Sequence, residues 1–235
     1  MKRALVRFAT GSLVTAVGAR LRGGVVSQGP AGRPAVALTF DDGPDVRWTP
    51  AILDALAGGG ARATFFCTGE AAARHPDIVR RAAAEGHEIA THLWEHYRDI
   101  VYDDERFRDQ LERSVDLLSR LAGRPVRHLR FPYGKRGRQR PARIPLRAVY
   151  WTVSGLDSRL AQSEAIVARL DAAWRPGAIA LLHDAVADEA RIRPPYLKTR
   201  DATVRALPAI LASLARRRLA AVTVDELLTG EPPAR

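Results

Sequence analysis

An α/β barrel is the fold class this sequence predicts, and three observations predict it. Short apolar runs alternate with helix-periodic stretches along nearly the whole chain, the order that feeds parallel strands through crossover helices. The first run, Ala35 to Phe40, reads as a continuous apolar strand of the kind buried on both faces of a parallel sheet. Finally, Asp41-Asp42, His92 and His96, Arg130 to Tyr133, Asp157 and His183 each fall just after the carboxyl end of a predicted strand, the rim on which such barrels build their sites. A chain of 235 residues, 46% hydrophobic, is long enough for one such domain.

The elements follow in order. After the strand at Ala35 to Phe40, Thr49-Pro50 starts a helix whose apolar spacing runs through Leu56 and stops at Gly58-Gly-Gly60. Ala63 to Cys67 is a second strand, Glu70 to Ala84 a helix closed by Gly86, and His87 to Ala90 a third strand. Asp103 to Leu121 is a long helix with Phe107, Leu111, Val115, Leu118 and Leu121 on one stripe. His128 to Phe131 and Ala148 to Val153 read as strands, the latter leading to Asp157. A helix over Ser163 to Trp174, a strand over Ala178 to Leu182, a helix over Thr203 to Arg217 that tolerates Pro208, and a strand over Leu219 to Val224 complete the series.

Composition narrows the function. Cys67 is the only cysteine, which rules out an internal disulfide framework and a cysteine-based zinc site; beside Phe65 and Phe66 it reads as a small buried residue. The net charge of +11 favours anionic partners without choosing one. Nothing reads as a helix-turn-helix, zinc finger or aromatic RNA platform, so no nucleic-acid partner is expected. At the amino terminus Lys2 and Arg3 precede a mildly apolar run from Phe8 to Ala19, interrupted by Arg7 and diluted by Thr10, Gly11, Ser12 and Thr15. It reads as a removable signal, a loose anchor or an ordinary leader, with weak or no membrane association expected. The compartment, cytoplasmic or cell envelope, stays open, as does the oligomeric state.

The chemistry sits in the motifs. Leu38-Thr-Phe-Asp-Asp-Gly-Pro44 carries two adjacent carboxylates at a strand's end. Their side chains leave extended backbone on opposite sides, so one can hold a metal while the other takes a proton. His92 and His96, four apart, can grip one ion. With one aspartate oxygen they form a two-histidine, one-carboxylate set suited to zinc, with iron, cobalt or nickel also compatible with the ligand types. Asp41, next to Asp42, is placed to act as base; Arg130 can hold it ionised. His183 can protonate a leaving amine with Asp157 orienting it, and the Tyr133 N–H can support an oxyanion. His75, His87 and His128 read as structural or exposed.

Thr39-Phe-Asp-Asp-Gly-Pro44, His92-x-x-x-His96, Arg130-Phe-Pro-Tyr-Gly134, Asp157 and Leu181-Leu-His183, in this order, resemble the polysaccharide deacetylase family with the NodB homology domain, carbohydrate esterase family 4. The resemblance covers about Ala35 to Leu228, leaving residues 1–34 as a leader and 229–235 as a tail. It implies a distorted (β/α)7 barrel, a divalent metal, and hydrolysis of N-acetyl groups on saccharides with metal-bound water as the nucleophile. It implies Asp41 as general base, Asp42, His92 and His96 as ligands, Arg130 as the partner of the base and Tyr133 as oxyanion donor. Asp157 and His183 match the acid pair, and Leu181 a wall of the acetyl pocket.

Three positions depart from the family pattern. Leu93 stands where Ser or Thr usually supports the metal loop, so that loop must be held differently. Ser158 stands where a tryptophan usually follows the aspartate, which removes an apolar wall. Between Gly134 and Trp151, Pro141 and Pro145 interrupt the usual helix, and Lys135, Arg136, Arg138, Arg140, Arg143 and Arg147 crowd together. That loop reads either as solvated surface or as a contact for phosphate or carboxylate on an anionic or lipid-linked saccharide. Two further readings stand beside the deacetylase: a deacylase or deformylase of a small or lipid-linked saccharide, and a non-catalytic saccharide-binding relative.

Overall fold

The computed structural model describes residues 24–96, 104–135, 146–187 and 194–231. In chain order these form β1 (Val25–Val26), β2 (Ala35–Asp41), α1 (Thr49–Gly58), β3 (Thr64–Cys67), α2 (Gly69–Arg74), α3 (Pro76–Ala84), β4 (Glu88–Thr91), α4 (Asp104–Ala122) and β5 (His128–Leu129). A 3-10 turn at Pro132–Gly134 precedes β6 (Arg147–Val149) and β7 (Val153–Ser154). The chain then forms α5 (Ser163–Asp171), β8 (Ile179–His183), α6 (Asp201–Arg216), β9 (Ala220–Val222) and α7 (Val224–Thr229). The leader through residue 23 and the basic stretch 136–145 lie outside the described residues.

Every strand pairing is parallel. The sheet runs β1-β6-β5-β4-β3-β2-β8-β7, with β9 beside the start of β2. It is the expected distorted barrel, curled and open at one seam. Because β6 and β7 are separated by only Tyr150 to Thr152 yet lie near opposite ends of the sheet, the two edges must come close. Tyr150 N–H donates to Val26 O at 2.7 Å, Thr152 Oγ1 to Ser27 O at 2.7 Å and Thr152 N–H to Ile179 O at 2.8 Å. Hydrogen bonds from the crossing segment thus stitch the seam that no ladder closes.

Alternation along β2 sorts its side chains into two layers. Val36, Leu38 and Phe40 pack outward with Ile52, Leu53, Leu207 and Ile210 of the helices. Ala35 and Ala37 face inward with Phe66, Ala90, Val149 and Ile179, and Val224 and Leu227 of α7 join that inner cluster. The amino-terminal end of the barrel is therefore plugged by α7, which the sequence reading did not foresee. Its start is pinned from within the barrel: Val224 N–H donates to Thr64 Oγ1 at 2.8 Å and Asp225 N–H to Glu88 Oε2 at 3.0 Å. His128 completes this brace through Glu88 Oε1 at 2.5 Å. A Thr223 and Glu226 capping box closes the same helix start.

Four expected elements differ. The helix over 70–84 breaks at His75 because Pro76 has no N–H to continue it and instead starts α3. The strand over 148–153 is two strands on opposite sides of the seam. The strand starting at His128 ends at Leu129, since the chain must turn at Pro132. The last strand gives way at Thr223, which caps α7.

Candidate active site and metal centre

With all strands parallel, the carboxyl ends of β2, β4, β5, β7 and β8 open on one rim, and Asp41 lies in register with Phe66 and His183. Thr39 and Asp41 share the inner face of β2. Arg130, leaving β5, reaches across the barrel with its side chain only 1% exposed. Its NH1 donates to Asp41 Oδ1 at 2.7 Å and to Thr39 Oγ1 at 2.7 Å, its Nε to Val149 O and its NH2 to Tyr150 O, both at 3.1 Å. The guanidinium also lies 4.1 Å over the Phe66 ring. Burial pushes the Asp41 carboxyl above its ordinary value while Arg130 pulls it back.

Asp42 follows with φ of 82°, in the left-handed region, which turns its carboxylate away from that of Asp41. Its Oδ1 lies 3.6 Å from His92 Nε2 and 3.4 Å from His96 Nε2, and one ligand atom from each residue falls within 4.8 Å of the others. Asp42 Oδ1 is buried and has no hydrogen-bond partner. A buried carboxylate oxygen left without a partner is costly, and a cation between it and two ring nitrogens removes that cost. The donor set fits a divalent metal. His92 Nδ1–H donates to Arg130 O at 2.8 Å, which leaves the Nε2 lone pair toward Asp42. Burial, then the neighbouring His96, lowers the His92 pKa to about 3, so the ring is neutral as ligation requires.

The loop from His92 to His96 is held without a hydroxyl at position 93. Leu93 is fully buried at φ 67°, and its N–H donates to Thr91 Oγ1 at 3.0 Å. The first N–H groups of α2 take up the loop carbonyls: Gly69 N–H donates to Leu93 O at 2.8 Å and Glu70 N–H to Trp94 O at 3.0 Å. Gln110 on α4 accepts Glu95 N–H at 2.8 Å. The Trp94 ring lies where a β-carbon on Gly69 would stand.

On the opposite side of the rim His183 Nδ1 lies 2.9 Å from Asp157 Oδ1, while Asp157 Oδ2 accepts the His183 N–H and the Thr203 hydroxyl, both at 2.8 Å. Burial works against a charged ring, but Asp157 outweighs it and the His183 pKa rises to about 9. Tyr133 stands in the turn after Arg130 at φ 58°, half-exposed, its ring 4.5 Å from that of His96. Leu181 is buried in β8, in register with Thr39. Each of the nine residues singled out from the sequence lies on or next to this rim. Ser158 contributes its carbonyl to Leu197 N–H at 2.8 Å.

Thr39, Thr203 and Gln110 are among the site's supports that the sequence reading missed. Thr39 was visible inside the first motif, two residues before Asp41. Thr203 and Gln110 carry no local signal, because their roles arise only from how α6 and α4 pack on the rim.

A second group, Glu88, His128 and Asp225, also brings ligand-type atoms within 4.8 Å of one another. It sits at the plugged end, with both Glu88 oxygens already hydrogen-bonded, and serves as the brace described above.

Comparison with known proteins agrees with this geometry. The family model described as polysaccharide deacetylase matches residues 28–144. A peptidoglycan-N-acetylglucosamine deacetylase of Bacillus cereus is 32% identical over 200 residues, covering 81% of this chain and 73% of that protein. A chitooligosaccharide deacetylase of a Bradyrhizobium species is 37% identical over 191 residues, covering 80% and 87%. Among solved structures, a peptidoglycan N-acetylglucosamine deacetylase superposes with a TM-score of 0.79 at 29% identity, covering 90% of this chain and 95% of that one.

Proposed function

The chain belongs to the polysaccharide deacetylase family, and from that premise we propose that it hydrolyses the N-acetyl amide of an amino sugar within a saccharide. The observation that carries this reading is the unpartnered, buried Asp42 Oδ1 facing two histidine nitrogens, with the Asp41 and Arg130 ion pair beside it. The likeness to peptidoglycan and chitooligosaccharide deacetylases supports the substrate class.

Asp42, His92 and His96 would hold a divalent ion, zinc by the character of the donor set. Such an ion supplies Lewis acidity, making water acidic enough to ionise near neutral pH and polarising an acyl oxygen. The chain's own residues do the rest. Arg130 occupies Asp41 Oδ1, which leaves Oδ2 to take a proton from the attacking water. The Tyr133 N–H serves the acyl oxygen as charge develops there, and Leu181 walls the methyl group. As the C–N bond breaks, protonated His183 delivers the Nε2 proton to the departing nitrogen, held in orientation by Asp157 through Nδ1. Acetate and the free amine result.

Acetate release from N-acetylglucosamine oligomers, measured after chelation and again with zinc added back, tests the reading. Activity should vanish and return. Asp41→Asn should abolish turnover while zinc still binds, whereas His92→Ala should lose both; undiminished turnover in either variant refutes the assignment. Ser158 in place of a tryptophan wall favours a second reading, a small or lipid-linked acceptor. Running the same assay on monomeric and polymeric acceptors separates the two.

A further inference from the structure

Asp184 is a fourth buried aspartate at this rim, and nothing in the chemistry above uses it. It follows His183 at the end of β8, so the two side chains leave the strand on opposite faces: the histidine serves the site, the aspartate points behind it. Asp184 is 1% exposed. Among the described residues no lysine, arginine or histidine pairs with its carboxylate. A buried carboxylate in that position costs stability unless its oxygens are well used.

Both are used on the turn that carries Asp42. Oδ1 accepts Gly43 N–H at 3.1 Å, and Oδ2 accepts the Thr49 hydroxyl at 2.7 Å, whose oxygen in turn accepts Asp45 N–H at 2.8 Å. The Asp184 N–H donates to Asp41 O at 3.2 Å. One residue thereby grips the chain at positions 41 and 43 directly and at 45 through Thr49, bracketing Asp42. Glycine at position 43 lets the two come this close, since a β-carbon there would overlap the Asp184 carboxylate as it stands. Meanwhile Asp42 is held at φ of 82°, a conformation costing a non-glycine residue about 1 kcal/mol or more. From the other side the clamp is matched by Thr68, whose N–H donates to Gly43 O at 3.0 Å and whose hydroxyl lies 3.4 Å from Asp42 O.

We propose that Asp184 is a positioning residue for the cation site: its carboxylate fixes the Asp41 to Asp45 turn so that Asp42 Oδ1 aims at His92 and His96. The proposal rests on reading those three residues as a metal site. Partners that orient a ligand in this way typically change metal affinity by roughly 10–100-fold when removed.

The experiment is zinc titration by calorimetry into the metal-free full chain, wild type against Asp184→Ala, Asp184→Asn and Thr49→Val, with circular dichroism confirming the fold of each. Asp184→Ala should bind zinc roughly 10–100-fold more weakly while remaining folded. Asp184→Asn, which keeps an acceptor for Gly43 N–H, should recover most of the affinity. Thr49→Val removes only the hydroxyl and should show a smaller loss of the same kind, which carries the test if Asp184→Ala does not fold. A folded Asp184→Ala chain, or a Thr49→Val chain, with wild-type zinc affinity overturns the positioning role. Wild-type chain that takes up no zinc overturns it differently, by removing the metal site on which it rests.

Discussion

Arg130 shows how much of this site depends on one side chain. Fully buried, it has two backbone carbonyls, one hydroxyl and the Asp41 carboxylate as partners. Removing one member of a buried ion pair strands the other, which costs about 3–5 kcal/mol. Arg130→Met should therefore lower stability by about that amount in urea unfolding, and push the Asp41 carboxyl further up, so the acid limb of kcat/KM moves to higher pH. The acid pair gives the complementary test. His183 has a folded pKa of about 9, above its ordinary 6.5, so its protonation stabilises the fold fully below pH 6.5 and that contribution is lost as pH rises through 9. In Asp157→Asn the main support of the charged ring is gone, and burial, opposed only by the weaker pull of Asp42, brings its pKa down. The alkaline limb of kcat/KM should shift to lower pH, and the alkaline loss of stability should disappear; an unmoved limb would remove His183 as the acid. These residues were legible in the sequence because each lies at or shortly after the carboxyl end of a predicted strand. Thr203, which shares Asp157 Oδ2, was not, since it sits in the first turn of a helix 46 residues away and only packing brings it there.

At the scale of elements, the decisive contact is between α2 and the His92–His96 loop. Its first two N–H groups hold the carbonyls of Leu93 and Trp94, a use of helix-terminal donors that fixes a loop with no hydroxyl at position 93. The approach is close enough that Gly69 has no room for a β-carbon against the Trp94 ring. Gly69→Ala should cost about 1–3 kcal/mol, as overpacking does, and weaken zinc binding through displacement of His92 and His96. Thermal melts and zinc titration on the same variant check both; a stable variant with unchanged zinc affinity would show that the loop is held elsewhere. The helix stripes and apolar strands that build these elements were readable from period alone. What the sequence reading missed was punctuation: Pro76 splits one helix in two, and Thr223 with Glu226 starts a short helix where a strand seemed to continue. Both signals are local and were present. The division of Ala148 to Val153 is different in kind, because no residue in that run announces that the chain must cross from one sheet edge to the other.

That crossing sets a problem for the molecule as a whole. An open parallel barrel needs something at its seam, and here Tyr150 and Thr152 hydrogen-bond to Val26 and Ser27, which precede the first long strand. β1 lies in register with β6, and Gly29 N–H donates to Gly177 O at 2.8 Å, carrying the same segment under the barrel. Gly177 is at φ 82° and its α-carbon faces the Gly29 carbonyl so closely that a side chain there would collide with it. The seam also reaches the site, since Arg130 NH2 donates to Tyr150 O and Arg130 Nε to Val149 O. A chain beginning at residue 33 should therefore be less stable than one beginning at residue 24. In a domain of this size each kcal/mol lost corresponds to a melting temperature lower by about 2–4 °C, and a drop of at least that size is expected. Turnover should fall with it, because the carbonyls that position the Arg130 guanidinium lose their support, whereas zinc affinity should change little, since none of Asp42, His92 and His96 touches the seam. Equal melting temperatures for the two chains would mean that the barrel is closed without β1.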